Sequence, residues 1–144
     1  LYGNKGEIGD SSAILPIGKA LVEEKGDKLL VIGYSRGYCE ALQALSDYEA
    51  TFLDLCSLKP LDEEAIKKWA RKIGKVLIVE NVPLQSSVAE SIIRIIMEEG
   101  IKAEIRVVSA LDMPLAFSRK LEYEALPNRE RILKEADSLI GEKL

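Results

Sequence analysis

Short apolar runs and longer, periodically apolar segments take turns along this chain. Leu29 to Gly33, Ala50 to Leu55 and Val76 to Glu80 are nearly continuous apolar runs of strand length. Runs without alternation suit strands covered on both faces. Between them, apolar residues recur every three or four positions, the spacing that puts them on one face of a helix. The first such segment carries Tyr38, Ala41, Leu42 and Leu45, and the second, from Asp62 to Gly74, carries Ile66, Trp69, Ala70 and Ile73. A third carries Ala89, Ile92, Ile93 and Ile96 and stops at Gly100. The last begins at Asn128 and buries Ile132, Ala136, Leu139 and Ile140. Ala103 to Val108 alternates more than the other runs, which places it near a sheet edge. Lys19 to Val22, ahead of the turn Lys25-Gly26-Asp27, is a candidate short strand.

Turn chemistry punctuates these elements. Pro60 cannot donate to a sheet ladder and keeps Lys59 out of the helical region, so the strand from Ala50 ends before it. Asp62 then offers a carboxylate to cap the next helix. Ser87-Val-Ala-Glu90 reads as a capping box. Strands separated by helices imply a mostly parallel sheet between two helical layers, with right-handed βαβ crossovers. The fold class is therefore a three-layer α/β/α sandwich of about five strands. Residues 1–12 are rich in Gly, Asn, Asp, Ser and Lys and read as a linker or arm from an upstream domain, with the α/β domain spanning 13–144.

Composition removes several classes of function. The net charge is −4 with the basic residues scattered, so no continuous face attracts a phosphate backbone, and nucleic acid is not an expected partner. Histidine is absent, which takes away the usual base of Ser or Cys nucleophilic catalysis and the commonest zinc ligand. Cys39 and Cys56 lack Cys-x-x-Cys spacing and read as reduced structural residues in a cytoplasmic setting. The apolar run Ile92 to Met97 is broken by Arg94, and no stretch reaches membrane-spanning length.

Candidate chemistry lies where strands hand over to helices. Gly33-Tyr34-Ser35-Arg36-Gly37 would expose helix N-terminal amides, with Arg36 adding positive charge, but close packing explains Gly37 without a ligand. Glu80, Asn81, Gln85 and Ser86 occupy the equivalent loop after the next strand, whose Ser87 is explained by capping. Asp112 could pair across an interface, although a solvated or capping aspartate is the simpler expectation. Glu122, Glu124, Arg129 and Arg131 read as exposed charges, Trp69 as core, and Lys19 and Lys59 as lysines with nothing nearby to bury them.

Two separated phrases, Leu15-Pro16-Ile17-Gly18-Lys19-Ala20 and Asp54 to Asp62, resemble the C-terminal domain of the transketolase superfamily of thiamine-diphosphate enzymes. The resemblance continues through Val76 to Glu80, Leu111 to Pro114 and Leu126-Pro127, and it covers nearly the whole chain. It is nearest to the β subunit of the decarboxylase component of 2-oxoacid dehydrogenase complexes. It departs from the family where Gln85, Ser86 and Ser87 stand in a loop many members fill with glycine, and where Ala116 replaces the second proline of an Asp-x-Pro-x-Pro turn.

The resemblance implies one antiparallel strand, with Lys19 to Val22 the candidate. It also implies an accessory domain that supports assembly with other domains or subunits in a homo- or hetero-oligomer. Thiamine diphosphate and magnesium would belong to the complete enzyme and not to this chain, whose Gly9-Asp10-Ser11 lacks the rest of the diphosphate motif. The chain alone would be inactive, with no catalytic, cofactor or metal residue of its own. The transketolase and 1-deoxyxylulose-5-phosphate synthase branches are alternatives, although a histidine-free chain cannot supply the histidine those branches often place near the substrate. A free-standing α/β module that binds an anion or a protein at the strand ends is the reading from another class.

Overall fold

Leu29–Gly33 is buried at every position, as a strand with helices on both faces must be. In the computed structural model, which describes residues 14–114 and 117–141, this strand is β2 of a five-stranded sheet. The other strands are β1 (Leu21–Glu24), β3 (Ala50–Asp54), β4 (Lys75–Pro83) and β5 (Glu104–Ala110). The helices are α1 (Ser35–Ala44), α2 (Glu63–Ile73), α3 (Ala89–Glu98), α4 (Arg119–Ala125) and α5 (Arg129–Ile140). The expected arm at residues 1–12 lies outside the described residues, as do Leu115 and Ala116.

The sheet order is β1-β3-β2-β4-β5, with β3, β2, β4 and β5 parallel and β1 antiparallel to β3. Alternate residues of β2 serve opposite layers. Leu29 and Val31 pack with Ala41, Leu45, Ile132 and Ala136 of the α1 and α5 layer. Leu30 and Ile32 pack with Ile66, Trp69, Ile92 and Ile96 of the α2 and α3 layer. The chain steps from β2 to β3 in one direction, then crosses back over β2 to β4. Keeping a right-handed crossover while reversing direction requires the connecting helix to change face, and α1 and α2 do lie on opposite faces.

Several boundaries differ from the sequence reading. The antiparallel strand is β1, but it runs Leu21–Glu24 and not Lys19 to Val22, because the Ala20 amide is taken by Asp62 (3.1 Å) and Lys19 closes a turn on the Pro16 carbonyl (3.1 Å). β4 continues past Glu80 to Pro83 through a register shift between Val79 and Pro83, where proline is tolerated. β5 is the expected edge strand, displaced by one or two residues.

Helix α4 was not foreseen: its seven residues are mostly charged and present no apolar stripe, and only Ala125 is buried. The capping box at Ser87 is corrected too. Ser87 Oγ accepts from the Ala89 amide (2.8 Å), while Glu80, from another element, takes the Val88 amide (3.2 Å) that begins the helix. Arg131, expected as an exposed charge, instead donates to the carbonyls of Ser109 (2.8 Å) and Leu126 (3.1 Å) and holds α5 to the end of β5.

The two phrases that carried the resemblance meet at Asp62. This carboxylate is 8% exposed, caps α2 through the Ala65 amide (3.2 Å), accepts from Ala20 and pairs with Lys19 Nζ (3.5 Å). Gly18, at φ +81°, lies where an added Cβ would come within 2.9 Å of Pro60 Cγ. Lys59 and Cys56 are exposed, and Trp69 is buried in the core. Among the described residues, no helix is long and apolar enough to cross a membrane.

Candidate functional site

Where the chain leaves β2 for one side of the sheet and returns to β4 on the other, the strand ends part and an α/β sheet has its natural crevice. Gly33 to Gly37 lines one wall of that crevice, and the loop from Glu80 to Ser87 lines the other. The two walls are in contact. A Cβ on Gly37 would come within 2.8 Å of the Val79 carbonyl oxygen and 3.0 Å of Glu80 Cα, so α1 can pack onto β4 only with glycine there. The close-packing explanation of this glycine therefore has a geometric basis.

Glu80 is fully buried yet has partners for both oxygens. Ser87 Oγ donates to one and the Val88 amide to the other at 3.2 Å. Tyr34 reaches the same carboxylate from the opposite wall; burial, then the Glu80 charge and a hydrogen bond to it, push the phenol pKa up. The network ties α1, β4 and α3 together, and a carboxylate engaged in this way has little capacity left for a ligand.

The remaining candidates are arranged around this centre. Asn81 follows Glu80 in the irregular part of β4, and its Oδ1 is buried without a hydrogen-bond partner among the described residues. Gln85 Nε2 donates to Asp112 Oδ2 at 2.9 Å, which joins the loops that follow β4 and β5 at the surface. Ser86 is exposed in a single 3-10 turn, Leu84–Ser86. Arg36 is half-exposed and lies between Glu40 (3.4 Å) and Glu122 of α4 (3.9 Å). The fold thus brings Gly37 next to Glu80 and pairs Gln85 with Asp112, while Arg36 turns toward α4.

Two residues at this end were missed by the sequence reading. Ser35 has φ +52°, a rare conformation for a residue with a side chain, and Gly33-Tyr34-Ser35-Arg36-Gly37 fits the pattern Gly-x-Ser-x-Gly, which forms a sharp strand-to-helix turn. That signal was readable in the sequence. The turn exposes Ser35, but a chain without histidine lacks the customary base to activate it. Tyr34 gave no signal, since its partnership with Glu80 spans the sheet. Nearby, Cys56 has its thiol pKa raised, by burial first and then by Asp54, which opposes thiolate reactivity.

The residues present do not make a cradle for a diphosphate and its metal. Glu80 is occupied within the chain, and Asp112 is held by Gln85. Among the described residues no cluster of three or more Asp, Glu, Cys or His side chains could hold a metal ion.

The family model for the transketolase C-terminal domain matches residues 18–132. The chain belongs to this family. It is 30% identical to the mitochondrial pyruvate dehydrogenase E1 component subunit beta of Caenorhabditis elegans, over 93% of this chain and 42% of that protein. It is also 30% identical to the acetoin:2,6-dichlorophenolindophenol oxidoreductase subunit beta of Bacillus subtilis (strain 168), over 98% of this chain and 44% of that one.

Among solved structures, an inactive beta4 tetramer of a split gene transketolase superposes with a TM-score of 0.80 at 18% identity, covering 96% of this chain and 48% of the other. The transketolase C-terminal fold, with its five-stranded mixed sheet, accounts for that match. The chain spans less than half the length of the curated relatives it matches.

Proposed function

We propose that this transketolase C-terminal domain is the accessory, assembly-forming part of a thiamine-diphosphate-dependent 2-oxoacid dehydrogenase decarboxylase of the β-subunit type. In the complete enzyme a 2-oxoacid would be decarboxylated and its acyl group passed to lipoyl domains, with cofactor and magnesium held by other domains. One relative named as the beta subunit of a pyruvate dehydrogenase E1 component, and another named as the beta subunit of an acetoin oxidoreductase, support this reading. The domain boundary at residue 13 is part of the proposal, as is a reducing, cytoplasmic setting, which two free cysteines support.

One observation carries the assembly role. The strand-end crevice is filled by the protein's own groups, whereas the surface around it exposes Leu84, Leu111, Met113, Phe117, Leu121 and Tyr123, each at least 45% accessible. A closed crevice with an apolar rim suits a protein neighbour better than a small ligand. Leu84, Asp112, Phe117 and the Arg36–Glu122 contact belong to this face.

The test is made on the full gene product. Phe117→Ser with Leu121→Ser is expected to lower its assembly state in analytical ultracentrifugation and to reduce 2-oxoacid-dependent reduction of an artificial electron acceptor, while circular dichroism stays unchanged. Unaltered assembly and activity would refute the role of this face. A native product lacking any thiamine-binding domain or subunit would refute the enzyme reading.

A further inference from the structure

The sheet ends at β5, and among the described residues no strand pairs with the outer side of β5. From Glu104 to Val108 this strand pairs in regular register with Lys75 to Val79 of β4. The Glu104 amide donates to the Gly74 carbonyl (2.9 Å), on the β4 side. Backbone direction alternates along a strand, so the amides and carbonyls of Glu104, Arg106 and Val108 point toward β4, and those of Ile105 and Val107 point outward. Farther along, Arg131 takes the Ser109 carbonyl (2.8 Å) and closes the edge. The open stretch therefore runs from the segment before β5 to Val107, with Ile105 near its middle.

Natural edge strands are blunted by proline, a bulge, extreme shortness or a covering segment. The opposite edge, β1, has only four residues. Between Glu104 and Val108, β5 has neither proline nor register shift. Its side chains differ on the two faces. Ile105 and Val107 pack half-buried against the α2 and α3 layer, where Ile93 also packs. One helical turn from Ile93 is Met97, 70% exposed, on the flank of α3 away from the Glu99–Arg71 contact with α2. On the other face Glu104 and Arg106 are exposed.

We propose that the β5 edge pairs antiparallel with the β5 edge of a second copy of this chain, across a two-fold axis at Ile105. The unpaired outward amides and carbonyls of one copy supply what the other lacks, and charge selects the alignment. With the axis at Ile105, Glu104 stands opposite Arg106 of the second copy, and Arg106 opposite its Glu104. On the apolar face Ile105 meets its own counterpart and Val107 meets Ala103. An axis at Glu104 or Arg106 would set like charges against each other, and one at Val107 would leave both charges opposite uncharged residues. Within one chain Arg106 already lies between Glu104 (3.4 Å) and Glu135 (3.7 Å), so the attraction comes from the open ladder and the apolar ribbon, and the charges fix the register. Ile105 is near the amino end of β5, whereas the apolar rim lies at the carboxyl ends of the strands. The pairing is therefore independent of the strand-end face.

The experiment co-expresses two forms of the full gene product, Glu104→Cys and Arg106→Cys, and oxidises them mildly with copper phenanthroline. Opposed residues of this kind have Cα atoms about 4.5 Å apart, within disulfide reach, whereas diagonal neighbours are about 7–8 Å apart. Peptide mass spectrometry is expected to find about tenfold or more of the 104–106 disulfide over the 104–104 and 106–106 disulfides. The same product should persist when Phe117→Ser and Leu121→Ser are added, so that failure of the strand-end face and failure of this pairing are read separately. Both cysteine positions are exposed, and circular dichroism checks that the variants fold. Absence of the 104–106 disulfide, or 104–104 and 106–106 yields equal to or above it, would overturn the proposal.

Discussion

Replacing Gly37 with alanine sets two physical effects against each other. Gly37 lies in the first turn of α1 and is absent from the glycines with positive φ, so helix propensity alone favours alanine by about 0.5–1 kcal/mol. The tertiary structure opposes it. The new Cβ would sit 2.8 Å from the Val79 carbonyl oxygen, 3.0 Å from Glu80 Cα and 3.2 Å from the Val79 carbonyl carbon. These are backbone atoms of a buried central strand, with no flexible side-chain end that could swing away. Relief requires α1 to lift from β4, which loosens the Ala41 and Leu45 packing and pulls Tyr34 away from Glu80.

Overpacking of this kind costs about 1–3 kcal/mol, so after the propensity gain the net effect is a destabilisation of up to about 2.5 kcal/mol. At this chain length that lowers Tm by up to roughly 10 °C. Urea unfolding followed by circular dichroism should show a lower midpoint with an unchanged slope. A variant as stable as the parent, or more so, would refute the claim that the close approach of α1 to β4 is rigid.

Two further outcomes follow from named contacts. Asp62→Ala removes the α2 cap, the acceptor for the Ala20 amide and the partner of Lys19, and should cost about 2–3 kcal/mol in chemical denaturation, with Asp62→Asn recovering a substantial part through the cap. The Tyr38 phenol pKa is pushed up to about 12, by burial first and then by Asp54, Glu23, Cys39 and Cys56. The folded state therefore keeps a proton that the unfolded state releases near pH 10, so this stabilising contribution is complete below pH 10 and is lost as pH rises toward 12. Stability measured between pH 9 and 12 should fall less steeply in Tyr38→Phe, and an identical pH dependence would rule out Tyr38 as a source.

Local sequence determined the elements whose signals lie within a few residues. The nearly continuous apolar runs of β2 and β3 left no polar face for solvent, and both strands lie buried inside the sheet. The Asp62 and Asn128 caps were readable because a cap and the amide it serves are only three residues apart. Glycine after Ile73 likewise marked a helix end, since Gly74 takes the left-handed conformation that closes a helix.

Tertiary structure decided whatever depended on partners distant in the chain. Glu80 rather than Glu90 begins α3, Ala20 is withdrawn from β1 by Asp62, and Arg131 is turned inward by carbonyls of β5 and the segment before α5. Helix α4 shows no apolar period because only Ala125 is buried, so nothing in its own pattern announced it. The candidate site divides in the same way. The need for glycine at position 37 could be suspected from the strand-to-helix turn, but its cause is the Val79 carbonyl oxygen, which the chain reaches only after crossing the sheet. Hydrogen bonds and apolar periodicity within one element are encoded by neighbouring residues; burial of a carboxylate, closure of a crevice and exposure of an apolar rim are properties of several elements packed together.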